Sequence, residues 1–166
     1  MAAADRTNRR RLWRCPECRR VFANPRQSHA CGRYTLAPHF KGKSPEIRRL
    51  FNAVRAAIRR IGPVRVLPEK TRIAFQVRMS FAQVTPRRHW LDGHLVLARR
   101  IESPRFRKVE TYSPRNHLHA FRLYDVDDID DEFRTWLLEA YRVGQQRHLK
   151  SGRSEISTED SKTERP

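Results

Sequence analysis

TRIAFQVRMSFAQVTPR, residues 71–87, carries the pattern that decides the fold. In its first half, apolar side chains alternate with smaller or polar ones, a two-residue period typical of a strand with one buried face. The apolar positions are Ile73, Phe75, Val77 and Met79. The stretch is long enough for one strand, or for two strands joined by a short turn.

Strand-like segments also lie on both sides of this stretch. Only a few residues separate consecutive segments, and no connection resembles a crossover helix, so the region predicts an antiparallel β-meander. The additional segments are VRVLP (64–68), HWLDGHLVLARRI (89–101), RKVETY (107–112) and HLHAFRL (117–123).

An amphipathic helix is predicted at each end of the strand region. The first has Ser44 as its N-cap and Pro45 at its first helical position. The second is predicted to start near Asp127 and Asp128, acids suited to the positive end of a helix dipole, and to end at Gly144. Each helix has one apolar face, and one face of the sheet supplies the surface to cover. The predicted class is therefore α+β.

All three cysteines lie in WRCPECRRVFANPRQSHAC, residues 13–31. A Cys-x2-Cys pair is followed, after ten residues, by His-x-Cys, and thiolate and imidazole are the ligands that zinc favours. A Cys3His set closes a structural site, and metal binding would supply most of the folding free energy of so small a segment. The predicted ligands of a structural Zn²⁺ are Cys15, Cys18, His29 and Cys31.

One feature of this segment departs from common zinc fingers. A single residue separates His29 from Cys31, whereas three to five residues usually separate the last two ligands. A reduced, metal-free cluster therefore stays open as an alternative, with His39 as a spare ligand. Trp13 and Phe22 flank the Cys-x2-Cys turn and are candidates for a miniature core.

The charge is large and uneven. The 166 residues carry 36 basic and 18 acidic side chains, a net charge of +18. Residues 1–62 contribute +13, residues 63–124 contribute +9, and residues 125–166 contribute −4. Such asymmetry suggests a polyanionic partner, DNA or RNA first. Because only six of the basic residues are lysines, the excess can equally reflect a GC-rich genome.

The leading functional prediction is a non-enzymatic nucleic-acid-binding module. Basic side chains around the cysteine segment and along the strands are candidates for backbone or anion contacts, and the alternative is an ordinary solvated surface. Nothing resembles a finger helix that reads base edges, so no sequence specificity is predicted. The candidates are Arg14, Arg19, Arg20, Arg26, Lys70, Arg72, Arg78 and Arg88.

Two histidines support the second hypothesis, a small-ligand-binding or enzymatic domain. His117 and His119 are two apart on a predicted strand and so share one face, where they can form a pocket with Lys70 and Arg78. No carboxylate or third ligand is placed beside them, which favours structural hydrogen bonds. A protein–protein adaptor using the acidic C-terminal helix is a third possibility.

The sequence predicts a cytoplasmic protein. No stretch approaches the roughly 18–20 apolar residues that cross a bilayer. The first dozen residues are charged without an apolar region behind them, so they do not form a signal peptide. Three cysteines without a secretory signal favour a reducing compartment.

Five segments are predicted along the chain. They are a basic disordered N-terminus (1–12), a zinc-knuckle module (13–34), a linker (35–44), an α+β domain (45–145) and a disordered tail (146–166).

Several motifs, in this order, resemble an uncharacterised bacterial domain-of-unknown-function family, DUF5655. They are HFKGKSPEIRRLFNAV (39–54), IGPVRVLPEKTRIAF (61–75), SFAQVTPRRHWL (80–91) and DIDDEFRTWLLEAYRVG (128–144). The W-x-CP-x-C…HAC start is similar to a knuckle that precedes such domains. The resemblance covers roughly residues 39–145, implies an α+β fold, and carries over no reaction.

Overall fold

The computed structural model describes residues 12–22, 24–27, 29 and 31–149. Residues 1–11 and 150–166, which make up most of the two segments predicted to be disordered, lie outside the described residues. At the C-terminal end of the described part, Arg147–Leu149 form a 3₁₀ turn.

The described residues form three α-helices, a two-stranded sheet and a six-stranded antiparallel sheet, which confirms the predicted α+β class. None of these helices has the length and apolar character to span a membrane. The elements are β1 (Trp13–Arg14), β2 (Val21–Phe22), α1 (Ala37–Phe40), α2 (Pro45–Ile61), β3 (Arg65–Pro68), β4 (Ile73–Gln76), β5 (Ser80–Pro86), β6 (Leu91–Leu97), β7 (Phe106–Ser113), β8 (Asn116–Leu123) and α3 (Asp131–Gly144).

The stretch 71–87 forms two strands, β4 and β5. The turn between them is closed by a hydrogen bond from the Val77 amide to the Met79 carbonyl, 3.2 Å long. Ile73 and Phe75 are fully buried on the face of the sheet that meets the helices. Each fully buried large apolar side chain contributes about 1.5–3 kcal/mol to folding, so this hairpin anchors the core.

The strand order is β3-β4-β5-β6-β8-β7. From β3 to β6, strands that are consecutive in the chain are also neighbours in the sheet, as a meander requires. The last two strands then exchange places, so that β8 pairs with β6 and β7 lies at the edge. The loop 98–105 is long enough to pass one strand position, whereas the short turn between β7 and β8 keeps that pair together as a hairpin.

Both edges of the six-stranded sheet are irregular. The edge strand β3 ends in Pro68, which has no amide to donate. The other edge strand, β7, has register shifts between Phe106 and Lys108 and between Thr111 and Ser113.

Helices α2 and α3 cover one face of the sheet with their apolar sides. Phe51 of α2 packs on Phe75, and Phe133 of α3 meets Phe121 edge-on at a centroid distance of 5.0 Å. The Tyr141 hydroxyl donates a 2.9 Å hydrogen bond to the Pro63 carbonyl, which joins α3 to the end of α2. The buried helix residues are Ile47, Leu50, Phe51, Val54, Ala57 and Ile58 in α2, and Phe133, Trp136, Leu137, Ala140, Tyr141, Val143 and Gly144 in α3.

The segment predicted to be a linker, 35–44, contains the short helix α1. Phe40 at its end packs on Phe51 with ring centroids 5.2 Å apart, and Leu36 also packs against the core. Ser44 holds the N-cap position of α2, as predicted, although its side chain makes no capping hydrogen bond.

The last helix starts later than the sequence indicates. Asp127 and Asp128 lie in a 3₁₀ turn, Val126–Asp128, which Asp125 caps. The α-helix begins only after Asp130, whose carboxylate accepts a 2.9 Å hydrogen bond from the Phe133 amide. Two successive acidic caps, Asp125 and Asp130, therefore lie in the segment where the sequence suggests a single helix start.

Candidate metal centre

The first two cysteines lie at a tight turn between β1 and β2. These strands pair antiparallel, with Trp13 opposite Phe22. The Arg19 amide donates to the Cys15 carbonyl at 3.0 Å, and the Cys15 amide donates to the Arg20 carbonyl at 2.9 Å. Arg19 has a φ of 61°, the left-handed conformation that closes the turn. The backbone thus brings Cys15 and Cys18 to the same side of the hairpin.

The chain then returns so that His29 and Cys31 meet these two thiols. One ligand atom from each of the four residues lies within 4.8 Å of all the others. The Cys15 and Cys31 sulfurs are 3.7 Å apart, and His29 Nε2 is 3.2 Å from the Cys18 sulfur and 3.1 Å from that of Cys31. Tetrahedral Zn–S bonds of about 2.3 Å place two sulfurs about 3.8 Å apart. The four side chains can therefore hold one metal ion.

The His29 ring is oriented by its second nitrogen. Nδ1 donates a 2.6 Å hydrogen bond to the Gln27 carbonyl, and Nε2 is left facing the sulfurs. Such a bond from the non-ligating nitrogen to a carbonyl is the usual support of a metal-bound histidine. The one-residue spacing between His29 and Cys31 does not prevent their convergence. His39, the spare candidate, lies in α1 and is not part of the group.

The thiols differ in acidity. Backbone amides, first that of Cys18, lower the pKa of Cys15. Burial acts to raise the pKa of Cys18, but hydrogen bonds led by the Arg20 amide outweigh it and lower that pKa to about 6. Burial and the neighbouring Cys15 raise the pKa of Cys31 to about 12. A bound divalent cation would supply the charge that the third thiolate needs.

Two aromatic rings, Trp13 and Phe22, lie beside the His29 ring of the cluster. Phe22 stacks near His29 with centroids 4.2 Å apart, and Trp13 lies 5.9 Å from Phe22 and 6.1 Å from His29. Cys15 is 3% exposed. Trp13 and Phe22, the two rings of the predicted miniature core, thus contact each other, and both stay half-buried.

The N-terminal module, here defined as the described residues from 13 to 34, docks on the outer face of the sheet. Gln76 of β4 donates a 2.8 Å hydrogen bond from Nε2 to the Val21 carbonyl, and Gln76 is only 3% exposed. Arg20 forms a 3.2 Å ion pair with Glu69, which also pairs with Arg72 at 2.6 Å. The module is thus attached to β4 and to the β3–β4 turn.

A family model described as "Domain of unknown function (DUF5655)" matches residues 36–144. The chain belongs to the DUF5655 family. No curated protein and no solved structure matches it. The match runs from the residue before α1 to the end of α3, so it contains the six-stranded sheet and its helices. The four converging ligands precede the DUF5655 domain and belong to the module docked on it.

The predicted nucleic-acid contacts fall into two groups. Arg20 and Arg72 share Glu69, and Arg78 donates from Nε to Gln146 at 2.7 Å. The other five are exposed, and none has an acidic side chain of the described residues within 4.0 Å: Arg14, Arg19, Arg26, Lys70 and Arg88.

The two histidines on β8 of the DUF5655 domain already have hydrogen-bond partners. His117 is 2.9 Å from the Thr111 hydroxyl and 3.3 Å from the Pro114 carbonyl. His119 is fully buried; its Nδ1 donates to the His117 carbonyl and its Nε2 accepts from the Ile101 amide. Burial lowers the pKa of His119. These are the structural hydrogen bonds that the sequence favours over a two-histidine site.

A cleft of about 340 Å³ separates the module from the DUF5655 domain, and the sequence does not predict it. We call it the module cleft. The cleft exists because the described residues from 21 to 29 dock against residues 69–80, which lie about 50 positions further along the chain. The one local signal is Gln76, a polar residue buried at the end of an apolar strand. The residues that line the module cleft include Phe22, Gln27, His29, Lys70, Gln76 and Ser80.

Proposed function

We propose that the chain is a zinc-containing, non-enzymatic protein that binds the phosphate backbone of DNA or RNA. The observation that carries the proposal is the set of five exposed basic side chains without an acidic partner among the described residues. Three of them, Arg14, Arg19 and Arg26, lie on the module, and Lys70 lies on the turn against which it docks. Unpaired cations of this kind release counterions when they contact phosphates.

Zinc is the metal that the donor set favours. Three thiolates and one imidazole suit its tetrahedral coordination, and four protein ligands leave no open position for chemistry. The ion would thus hold the module in shape rather than catalyse a reaction. A reducing compartment such as the cytoplasm would keep all three thiols available as ligands.

The proposal predicts salt-dependent binding. Fluorescence anisotropy titrations of the full chain with random-sequence DNA and RNA should show that the logarithm of the binding constant falls linearly with the logarithm of the salt concentration. Neutralising two contacts in Arg14→Gln/Arg88→Gln should reduce the magnitude of that slope by about 1.5.

The matched control is Arg107→Gln/Arg142→Gln, which removes the same charge from exposed positions on β7 and α3. It should leave the slope within error of the unchanged protein. Absence of binding at low salt, or an equal effect of both double variants, would contradict the proposal.

A further inference from the structure

We propose that the module cleft binds one unpaired nucleotide, so that the protein prefers single-stranded nucleic acid over duplex. This inference rests on the proposed function and assigns the strand form that it takes. At about 340 Å³ the cleft lies at the small end of ligand pockets, which span roughly 300–1,000 Å³. Stacked and paired bases of a duplex cannot enter it, whereas a single base turned out of a strand can.

The apolar wall of the cleft suits a base. Phe22 lines it, and the ring is already held in place by His29 at 4.2 Å and Trp13 at 5.9 Å. The Met79 thioether and Val21 add apolar surface. A pre-oriented aromatic ring stacks on any base, and such stacking contributes about 1–3 kcal/mol per base.

The floor of the cleft carries an unused acceptor. Gln76 uses its amide nitrogen to hold the Val21 carbonyl, whereas its buried Oε1 has no hydrogen-bond partner in the described part of the chain. A buried acceptor left unpaired costs about 1–3 kcal/mol. The Watson–Crick edges of bases present N–H donors for such a group, and Ser80 and Thr71 add hydroxyl groups along the cleft.

The rim of the cleft suits a phosphate. Lys70 is exposed on it with no acidic partner among the described residues. Glu69, the one acid among the described residues that line the cleft, is shared by the two cations Arg20 and Arg72. With Lys70, three positive charges surround one negative charge, so the rim attracts an anion even with both ion pairs intact.

The test compares strand forms and blocks the cleft. Anisotropy titrations at one low salt concentration use a labelled 12-nucleotide single-stranded DNA, the same sequence as RNA, and the duplex. Ser80→Tyr and Thr71→Tyr each place a large side chain at an exposed lining position. Thr135→Tyr, exposed on α3, is the matched control. Metal content and thermal unfolding of each variant establish that the module is intact.

The unchanged protein and the control should bind single strands at least tenfold more tightly than duplex, and each blocking variant should lose that preference while retaining duplex binding. Free mononucleotide should compete only weakly, because it lacks the flanking phosphates. Equal affinity for single strand and duplex, or single-strand binding unaffected in both blocking variants, would overturn the inference and leave the proposed function standing. No binding to any form would instead overturn the proposed function.

Discussion

His94 shows how the surroundings of one residue set its chemistry. It lies on β6 on the outer face of the sheet, where its Nδ1 is 3.0 Å from the side-chain amide nitrogen of Gln83. Burial and the charge of Arg72 lower the pKa of His94 to about 4. The ring is therefore neutral in the folded protein at pH values where an unfolded histidine begins to protonate.

This difference predicts a loss of stability in acid. The neutral ring contributes stability that is fully present above the unfolded pKa of about 6.5, and it is lost as pH falls toward the folded pKa of about 4. His94→Asn keeps an acceptor but does not titrate. Between pH 7.5 and pH 5, urea unfolding should show the free energy of unfolding of the unchanged protein falling by about 1–2 kcal/mol more than that of the variant.

The control for this experiment is His89→Asn at an exposed position. It should follow the pH profile of the unchanged protein. Protonation of the cysteine cluster affects all three proteins alike, so the comparison removes it. Parallel profiles for His94→Asn and the unchanged protein would contradict the assigned role.

The convergence of the cysteine cluster was predictable from residue types and spacing, because four ligands within 17 residues can meet through local turns. The role of Gln76 was not predictable in this way. Its partner Val21 is 55 positions away, and the hydrogen bond depends on how the module docks. Ligands that lie close together in the sequence can be recognised from their residue types and spacing. Docking between distant segments cannot be recognised in this way, and its one trace here is a buried polar residue in an apolar strand.

At the scale of elements, the start of α3 depends on one carboxylate. Asp130 accepts from the Phe133 amide and also pairs with Arg105 at 2.7 Å. Arg105 lowers the pKa of this carboxyl group. Asp130→Ala should reduce the free energy of unfolding by about 1–2 kcal/mol, because the helix loses its cap.

Asp130→Asn is the informative partner of that variant, since asparagine caps a helix about as well as aspartate. Denaturant unfolding should place it within about 0.5 kcal/mol of the unchanged protein, because an exposed ion pair contributes little. If both variants lost the same stability, the ion pair with Arg105 would be the dominant contribution and the capping interpretation would be wrong.

The existence of the strands and of two long helices followed from periodicity, since buried faces repeat every two or 3.6 residues. Three features did not. The order of β7 and β8 depends on the loop 98–105, whose length permits either order. The four-residue helix α1 is too short to show a period, and successive caps at Asp125 and Asp130 resemble one acidic helix start.

At the scale of the whole molecule, metal removal should separate the module from the DUF5655 domain. Among the described residues of the module only Cys15 is buried, so we expect the module to need a bound metal, whereas the domain has a core of its own. A zinc chelator should abolish protease resistance around residues 13–34 while the 36–144 region keeps its circular dichroism and its cooperative unfolding. Mass spectrometry should find about one zinc ion per chain before treatment.

His29→Ala should reproduce the effect of the chelator, and His39→Ala, which removes a histidine outside the cluster, should retain the metal. Equal metal content in the two variants would show that the four side chains do not form the site. Cooperative loss of the whole fold on chelation would show instead that the domain depends on the module.

The irregular edges of the six-stranded sheet bear on self-association. A regular edge strand presents free amides and carbonyls on which a strand of another copy can extend the sheet. Here one border ends in Pro68, and the other is interrupted at two places along β7, where exposed Lys108 also adds charge. Neither edge is a good template for strand addition, so the six-stranded sheet is protected against edge-to-edge association with another copy.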